Sequence, residues 1–493
     1  MFTRVSHAEG VKQEEEILFS TPFGYMFPEA AKSRLCLLPQ TETTLSGLRA
    51  LGAAMADTGA PNDPQNSLDS NIPALFTYLG QFIDHDLTAR TDRDGSVSSL
   101  GKGEPITPID PDHVARVLRN GRRPQFDLDS VFGDGPGFTS VSQSQILYDS
   151  DLALNVFAQD NITDLTREPN TFKAIIADMR NDENINISQL HAACLRFYNA
   201  VHDAQSGNKY AKYSRARQLT RWAYQYVVVH DYLMRVCDER IVQDTLANGP
   251  WFYGPTAGHG DAFMPVEFSV AAFRFGHSMI RPFYKLNNTT TRTILQILGV
   301  SGDPNNFDAN GQLKEALVID FKNFIGSTAQ KARKIDTRIA QGLFTLPFRP
   351  DDPVLTNLAR SNLFRGYNLS IPTGQAICDA MGMHPLTATE ILTGEEANIA
   401  AIVKDAYFDH RTPLWYYILR EAAVQHGGAH LGDVGSRIVA ETFIGILKQD
   451  PNSYLNNVQD SAVKSTGIDV KPGAGGLINT ITDFLKFAGY SGI

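Results

Sequence analysis

The stretch Gly80-Gln81-Phe82-Ile83-Asp84-His85-Asp86-Leu87-Thr88 sets an imidazole between two carboxylates inside an otherwise apolar segment. Leu75, Phe76, Leu79, Phe82, Ile83 and Leu87 recur at helical spacing, which predicts a core-packed helix over 71–90. Tyr78, Gln81, His85 and Thr88 fall on a second, polar stripe of the same helix. Polar groups buried in this way need partners or a chemical task.

Working outward, the chain of 493 residues, 42% hydrophobic and 20% charged, is long and apolar enough to bury a large core. Its net charge of -10 argues against a phosphate-binding face, so nucleic acid is not expected as a partner. Residues 1–16 are charged and lack the apolar centre of a signal peptide, and no later run is long enough to span a bilayer. The expectation is a cytoplasmic protein with no transmembrane segment, with export by a non-classical route left open. Cys36, Cys194, Cys237 and Cys378 are far apart and form no Cys-x-x-Cys pair, which points to buried free thiols.

Helical patterns dominate, and the fold class expected is mainly α with little β. Helices are predicted over 71–90, 188–204, 214–247, 265–286, 312–323, 387–392, 397–403, 413–424 and 433–448. Long Gly-, Pro-, Asp- and Asn-rich connections are expected over 91–170 and 287–312. No repeat or flexible linker divides the chain, so one large domain spans 1–493: an N-terminal wrapping segment 1–70, a core 71–450 and a C-terminal segment 451–493.

Two further segments carry polar chemistry. In Asp178-Met179-Arg180-Asn181-Asp182-Glu183-Asn184, just before an apolar-periodic run, Arg180 and Glu183 either cap and pair locally or present a fixed cation and a carboxylate to a cavity. In Phe273-Arg274-Phe275-Gly276-His277-Ser278-Met279-Ile280-Arg281, the residues Arg274, His277 and Arg281 share one face if the segment is one helix. A lone histidine there is ordinarily a core residue; flanked by cations, it could also hold a metal beside an acidic cofactor edge.

Together, in this order and at these separations, the three segments resemble the animal-type haem peroxidases of the peroxidase-cyclooxygenase superfamily. Related-looking blocks extend from about Phe23 through Arg365-Gly366-Tyr367 and Thr412-Pro413-Leu414-Trp415-Tyr416-Tyr417. The resemblance implies a bacterial-like member with a single helical domain around haem b. It implies His277 as the iron ligand, His85 as the distal base, Arg180 as the cation that steadies charge when the O–O bond breaks, and Gln81 as an orienting amide. It implies Arg274 on a haem propionate, and Asp84 and Glu183 at the positions that form ester links to the haem in the mammalian members. Asn184 replaces the methionine of a further sulfonium link. The asparagine that supports the iron-bound histidine aligns best with Gln375, with Asn362 as the competing candidate.

The resemblance also implies calcium, held by Asp86, Asp127 and Asp129 with the carbonyls of Arg123 and Gln125. Arg123 departs from the usual threonine and Asp129 from the usual serine. Two other patterns are decoys: Asn306 to Gly311 begins like a calcium loop but has Leu317 at its twelfth position, and His426-Gly427-Gly428-Ala429-His430 is better read as a surface loop.

The function implied is reduction of hydrogen peroxide or an organic hydroperoxide through a ferryl intermediate, with oxidation of a small phenol-like or halide donor. A fatty-acid dioxygenase of the cyclooxygenase branch is the rival. That branch places a tyrosine three residues before the iron ligand, and this chain has Arg274 there. A haem-dependent sensor or scaffold is the non-enzymatic alternative, disfavoured by the intact Gln81, His85 and Arg180.

Overall fold

A computed structural model describes residues 3–4, 21–57, 68–92, 106–133, 135–136, 147–159, 162–168, 170–254, 262–308, 311–346, 356–473 and 475–493. The described chain is mainly helical, as expected. Its longer helices are α1 (Glu42–Ala54), α2 (Leu75–Leu87), α3 (Ile185–Asp203), α4 (Lys209–Val227), α5 (Glu239–Asn248), α6 (Leu358–Asn368), α7 (Gly374–Met381), α8 (Leu414–His426) and α9 (Asp433–Gln449). Strands are short, and the largest sheet runs 3–4, 90–92, 118–120, 21–24 and 264–265 in spatial order.

Most helix starts follow from side-chain caps. Asn184, Asn208, Asp238, Asn357 and Thr373 accept hydrogen bonds from backbone N–H groups in the first turns of α3, α4, α5, α6 and α7. The start of α9 has no such neighbour in sequence. Its Val434 and Gly435 N–H groups donate to Glu421, a buried carboxylate of α8. Burial pushes Glu421 up to about 8, while those backbone donors pull the other way.

The core is continuous, with α2 packed on α3, α3 on α4, α5 on α9, α6 on α1 and α8, and α7 on α8. Gly374 allows the last of these contacts, because a Cβ there would overlap the Tyr417 ring, which is fixed by a hydrogen bond from Leu386 N to its hydroxyl at 2.9 Å. Gly374→Ala is expected to lower stability by about 1–3 kcal/mol, the range for overpacking a well-filled core. A thermal melt indistinguishable from that of the unsubstituted chain would show that the ring can move aside.

Several predicted elements differ from the structure. The helix predicted over 71–90 begins only at Leu75, because Asp69–Pro73 is a strand paired with Lys331–Arg333. The predicted helix 214–247 divides where Cys237 is extended and Asp238 starts α5, after a π-helical turn at Val228–Leu233. The predicted helix 265–286 is a short helix Val266–Val270, a 3-10 turn Ala272–His277 and a strand Phe283–Lys285. Pro282 cannot continue a helix there. The 312–323 pattern yields only the 3-10 turns Glu315–Leu317 and Phe321–Asn323.

Among the longer helices, α1, α6 and α7 escape the sequence pattern, as do shorter ones such as Pro111–Val117 and Ile481–Phe487. In α1, Gly47 and Gly52 lower helix propensity, yet they are where Ala406 and Arg360 approach most closely. His426 ends α8, and Gly427 and Gly428 follow at φ 59° and 77°, so the histidine pair lies at a helix end and turn. Cys36, Cys194, Cys237 and Cys378 are all free thiols. Residues 309–310 of the calcium-loop-like pattern lie outside the described residues, and among those described no helix is long and apolar enough to cross a membrane.

Candidate active site

The site forms where α2, the 178–184 turn, the 272–277 turn and α6 converge. A cavity there holds about 1030 Å³ of empty space, counting its open mouth. Gln81, Asp84, Glu183 and Asn184 lie along one part of its wall, and Arg274 and His277 along another. Tyr78, Tyr232, Phe273, Ile294, Leu298 and Leu343 are among its apolar lining.

His85 is fully buried behind the first group, with Nδ1 2.8 Å from Asn181 Oδ1. A carbonyl oxygen only accepts, so Nδ1 carries the proton and the neutral ring presents a basic Nε2. That Nε2 lies 3.8 Å from Glu183 Oε1. Gln81 Nε2 donates to the same carboxylate, and Asn184 Nδ2 donates to Gln81 Oε1 at 3.2 Å. Burial, with Asp178 and Asp84 nearby, pushes Glu183 up to about 7 against the opposing pull of Arg180 and Gln81. The carboxyl therefore exchanges its proton near neutral pH. Asp84 accepts a hydrogen bond from Thr88 Oγ1 at 2.9 Å.

Arg180 stands differently from the cavity-facing cation that the sequence offered as one reading. Its guanidinium donates to the His85 carbonyl at 2.8 Å, the Thr88 carbonyl at 2.6 Å and Asp178 Oδ2 at 2.7 Å. It binds the C-terminal carbonyls of α2, where a helix end favours positive charge. The turn that carries it is fixed by Arg167, which grips Asp182 at 2.8 Å and Asp164 at 2.8 Å over the Phe307 ring.

On the opposite segment, the 3-10 turn sets Arg274 and His277 on one side, three residues being one full turn. Asn362 of α6 joins them. Its Oδ1 accepts from Arg274 Nη1 at 2.8 Å, and its Nδ2 lies 2.8 Å from His277 Nδ1. Gln375 is elsewhere, exchanging hydrogen bonds with Thr412 at 2.8 and 2.9 Å. Of the two candidates for the supporting position, Asn362 is the one beside His277. Arg281 leaves the turn to pair with Asp69 at 2.7 Å.

The residues fit haem: an imidazole and a guanidinium share one wall of an apolar slot whose other wall carries an amide and carboxylates backed by a second histidine. Asn181 is the member of this set that the sequence reading did not single out. Its one available signal was its place between Arg180 and Glu183.

The carboxylates of Asp86, Asp127 and Asp129 lie within 4.8 Å of one another, all buried. Asp86 is wholly inaccessible, and the Leu128 backbone and Tyr224 hydroxyl face it without good hydrogen-bond geometry to either oxygen. Burial, reinforced by Asp129 and Asp127, holds its carboxyl well above the usual range, as an uncompensated cation position would. Phe126 and Leu128 alternate with these aspartates in left-handed backbone, φ 50° and 57°, conformations that non-glycine residues rarely adopt outside functional loops. The oxygen donors suit a hard cation such as calcium. Arg123 and Gln125 line the polar cleft beside the cluster, and the Gln125 carbonyl receives a hydrogen bond from Gln225 at 3.4 Å.

A family model described as animal haem peroxidase matches residues 141–468. Chorion peroxidase of Drosophila melanogaster is 28% identical over 192 residues, which are 38% of this chain and 22% of that protein. Among solved structures, peroxidase A of Dictyostelium discoideum superposes with a TM-score of 0.61 at 17% identity, over 94% of this chain and 96% of that one. A fatty acid alpha-dioxygenase of Oryza sativa gives 0.61 at 15%, over 92% and 77%. At such identities these two likenesses speak for the fold.

Proposed function

The chain belongs to the animal haem peroxidase family, and from that membership and the geometry above we propose that it reduces hydrogen peroxide or an organic hydroperoxide and oxidises a small donor. The observation that carries this reading is the pair of supported imidazoles, His85 on Asn181 and His277 on Asn362. When bound, haem would supply a redox-active iron that takes an imidazole ligand from the protein. His277 would be that ligand, Arg274 would grip a propionate, and Asp84 and Glu183, which line the same cavity, would form the ester links.

The remaining chemistry belongs to the chain. His85 Nε2 takes the proton of the incoming hydroperoxide and returns it to the departing oxygen, so that the leaving group goes as water or an alcohol. Glu183 lies 3.8 Å from that nitrogen and takes the Gln81 amide, so the two would orient what enters. The positive charge of Arg180 beside the His85 carbonyl favours the anionic form of bound peroxide, and its effect is strengthened by the dry surroundings. Asn362 steadies the His277 ring with its amide, Nδ2 lying 2.8 Å from Nδ1 while Oδ1 stays on Arg274 Nη1. Asp86, Asp127 and Asp129 would hold calcium behind the distal helix.

The apolar wall of Ile294, Leu298 and Leu343 favours the second reading, a fatty-acid dioxygenase, and the likeness to the Oryza enzyme's fold is compatible with it. Against it, Arg274 occupies the position of that branch's tyrosine. Peroxide-dependent oxidation of a phenolic dye, measured beside oxygen uptake with linoleate, separates the two. Dye turnover without uptake is expected; rapid uptake without dye turnover would reverse the choice.

The Asn362 assignment is tested spectroscopically. Asn362→Leu is expected to shift the absorption spectrum and lower the thermal stability of the haem complex, while Gln375→Ala leaves the spectrum unchanged. The opposite pattern would return the supporting role to Gln375.

A further inference from the structure

The carboxylate cluster and Arg180 are joined by one buried chain of charges. Arg122 Nη1 lies 2.9 Å from Asp129 Oδ1, and its Nη2 binds Asp178 Oδ2. The same Asp178 oxygen receives Arg180 Nη2 at 2.7 Å, and Asp178 Oδ1 receives Arg180 Nε at 3.1 Å. Arg180 then holds the His85 and Thr88 carbonyls. Every member is buried, with relative exposure of 6% or less for Asp129, Arg122, Asp178 and Arg180. Two carboxylates thus compete for Arg122, and two guanidiniums compete for Asp178.

We propose that Arg122 is a positioning residue that couples the cation cluster to the distal arginine. A divalent cation held by Asp86, Asp127 and Asp129 draws charge from Asp129 and weakens its hold on Arg122. Arg122 then commits to Asp178, which shares less of its charge with Arg180, and the Arg180 guanidinium is released toward the cavity. The inference rests on the roles given above to the cluster and to Arg180. Coupling through such a chain is reciprocal: whatever strengthens the Arg122–Asp129 pair weakens cation binding by the same factor.

The test is a double-substitution cycle read by calorimetric titration of the full chain with calcium alone. Asp178→Asn keeps the side-chain oxygen that caps the 179–182 turn but releases Arg122 to Asp129, so calcium affinity falls by about fivefold or more. In the Arg122→Gln background the same substitution leaves affinity unchanged. An equal fall in both backgrounds is mere through-space loss of a negative charge and overturns the proposal, as does no fall in either. If Arg122→Gln does not fold, Arg122→Lys replaces it, since one ammonium cannot bridge both carboxylates; the Asp178→Asn effect then drops below twofold, and its persistence at full size is contradictory.

A second reading uses the haem-loaded chain, where cyanide affinity with and without calcium differs by about fivefold or more in the unsubstituted protein and loses that difference in Arg122→Lys. A calcium-independent cyanide affinity in the unsubstituted protein refutes the coupling. A chain that takes up no haem counts against the peroxidase reading alone, and the calcium cycle then still decides the proposal.

Discussion

His277→Ala protein is expected to lose nearly all of its haem and its Soret absorption, while His85→Ala protein keeps both. The asymmetry follows from what supports each ring. His277 lies on the cavity wall with Asn362 on its Nδ1, and Arg274 shares the same amide. His85 is fully buried, with its Nδ1 committed to Asn181 and its Nε2 3.8 Å from Glu183. An axial ligand is a direct bond whose loss removes the group, whereas a distal base touches only what binds opposite. The check is haem content by pyridine haemochrome beside circular dichroism, which separates loss of cofactor from loss of fold. Normal haem content in His277→Ala protein would move the ligand elsewhere.

The second large effect falls on the rate of reaction with peroxide. His85→Leu is expected to slow it by about 10²–10⁴-fold at neutral pH, the usual contribution of a positioned general base. Asn181→Leu acts more weakly in the same direction, since it leaves the ring in place but frees its tautomer. The amide oxygen of Asn181 now fixes the proton on Nδ1, and without it part of the population carries the proton on Nε2. Stopped-flow absorbance on the haem-loaded proteins measures both. A His85→Leu rate within a fewfold of the unsubstituted one would mean that another group, with Glu183 the nearest carboxylate, takes the proton.

The sequence exposed the distal half of this site more completely than the proximal half, and the reason is local. His85, Gln81 and Asp84 lie on one regular helix, whose 3.6-residue period shows directly which side chains share a face. The 265–286 segment invites the same reading and misleads. Ala271 breaks the helix, the next turn is 3-10, and Arg281 departs to Asp69, so the one-face argument holds for Arg274 and His277 but fails for Arg281.

Asn362 illustrates a different limit. It meets His277 across 85 residues, from a helix whose polar, glycine-containing sequence carries a weak period, and nothing local distinguishes it from Gln375. The carboxylate cluster was legible only through the family resemblance, since Asp127 and Asp129 share a short loop but Asp86 lies on α2. The chain of charges behind it was not, since Arg122 and Asp178 are 56 residues apart and their neighbourhood is set by packing alone. The orientation of Arg180 belongs with these: a pattern of residue types tells which cation is present, and only the fold tells which carbonyls it holds.

The central claim is that one haem occupies the cavity between the His277 and Gln81–Glu183 walls, held on the His277 side and open on the other. Optical titration of the purified chain with hemin, followed by cyanide, tests it most directly. The account predicts saturation at one haem per chain and a Soret shift on adding cyanide. A titration that never saturates, or a saturated complex whose spectrum cyanide leaves unchanged, would contradict it.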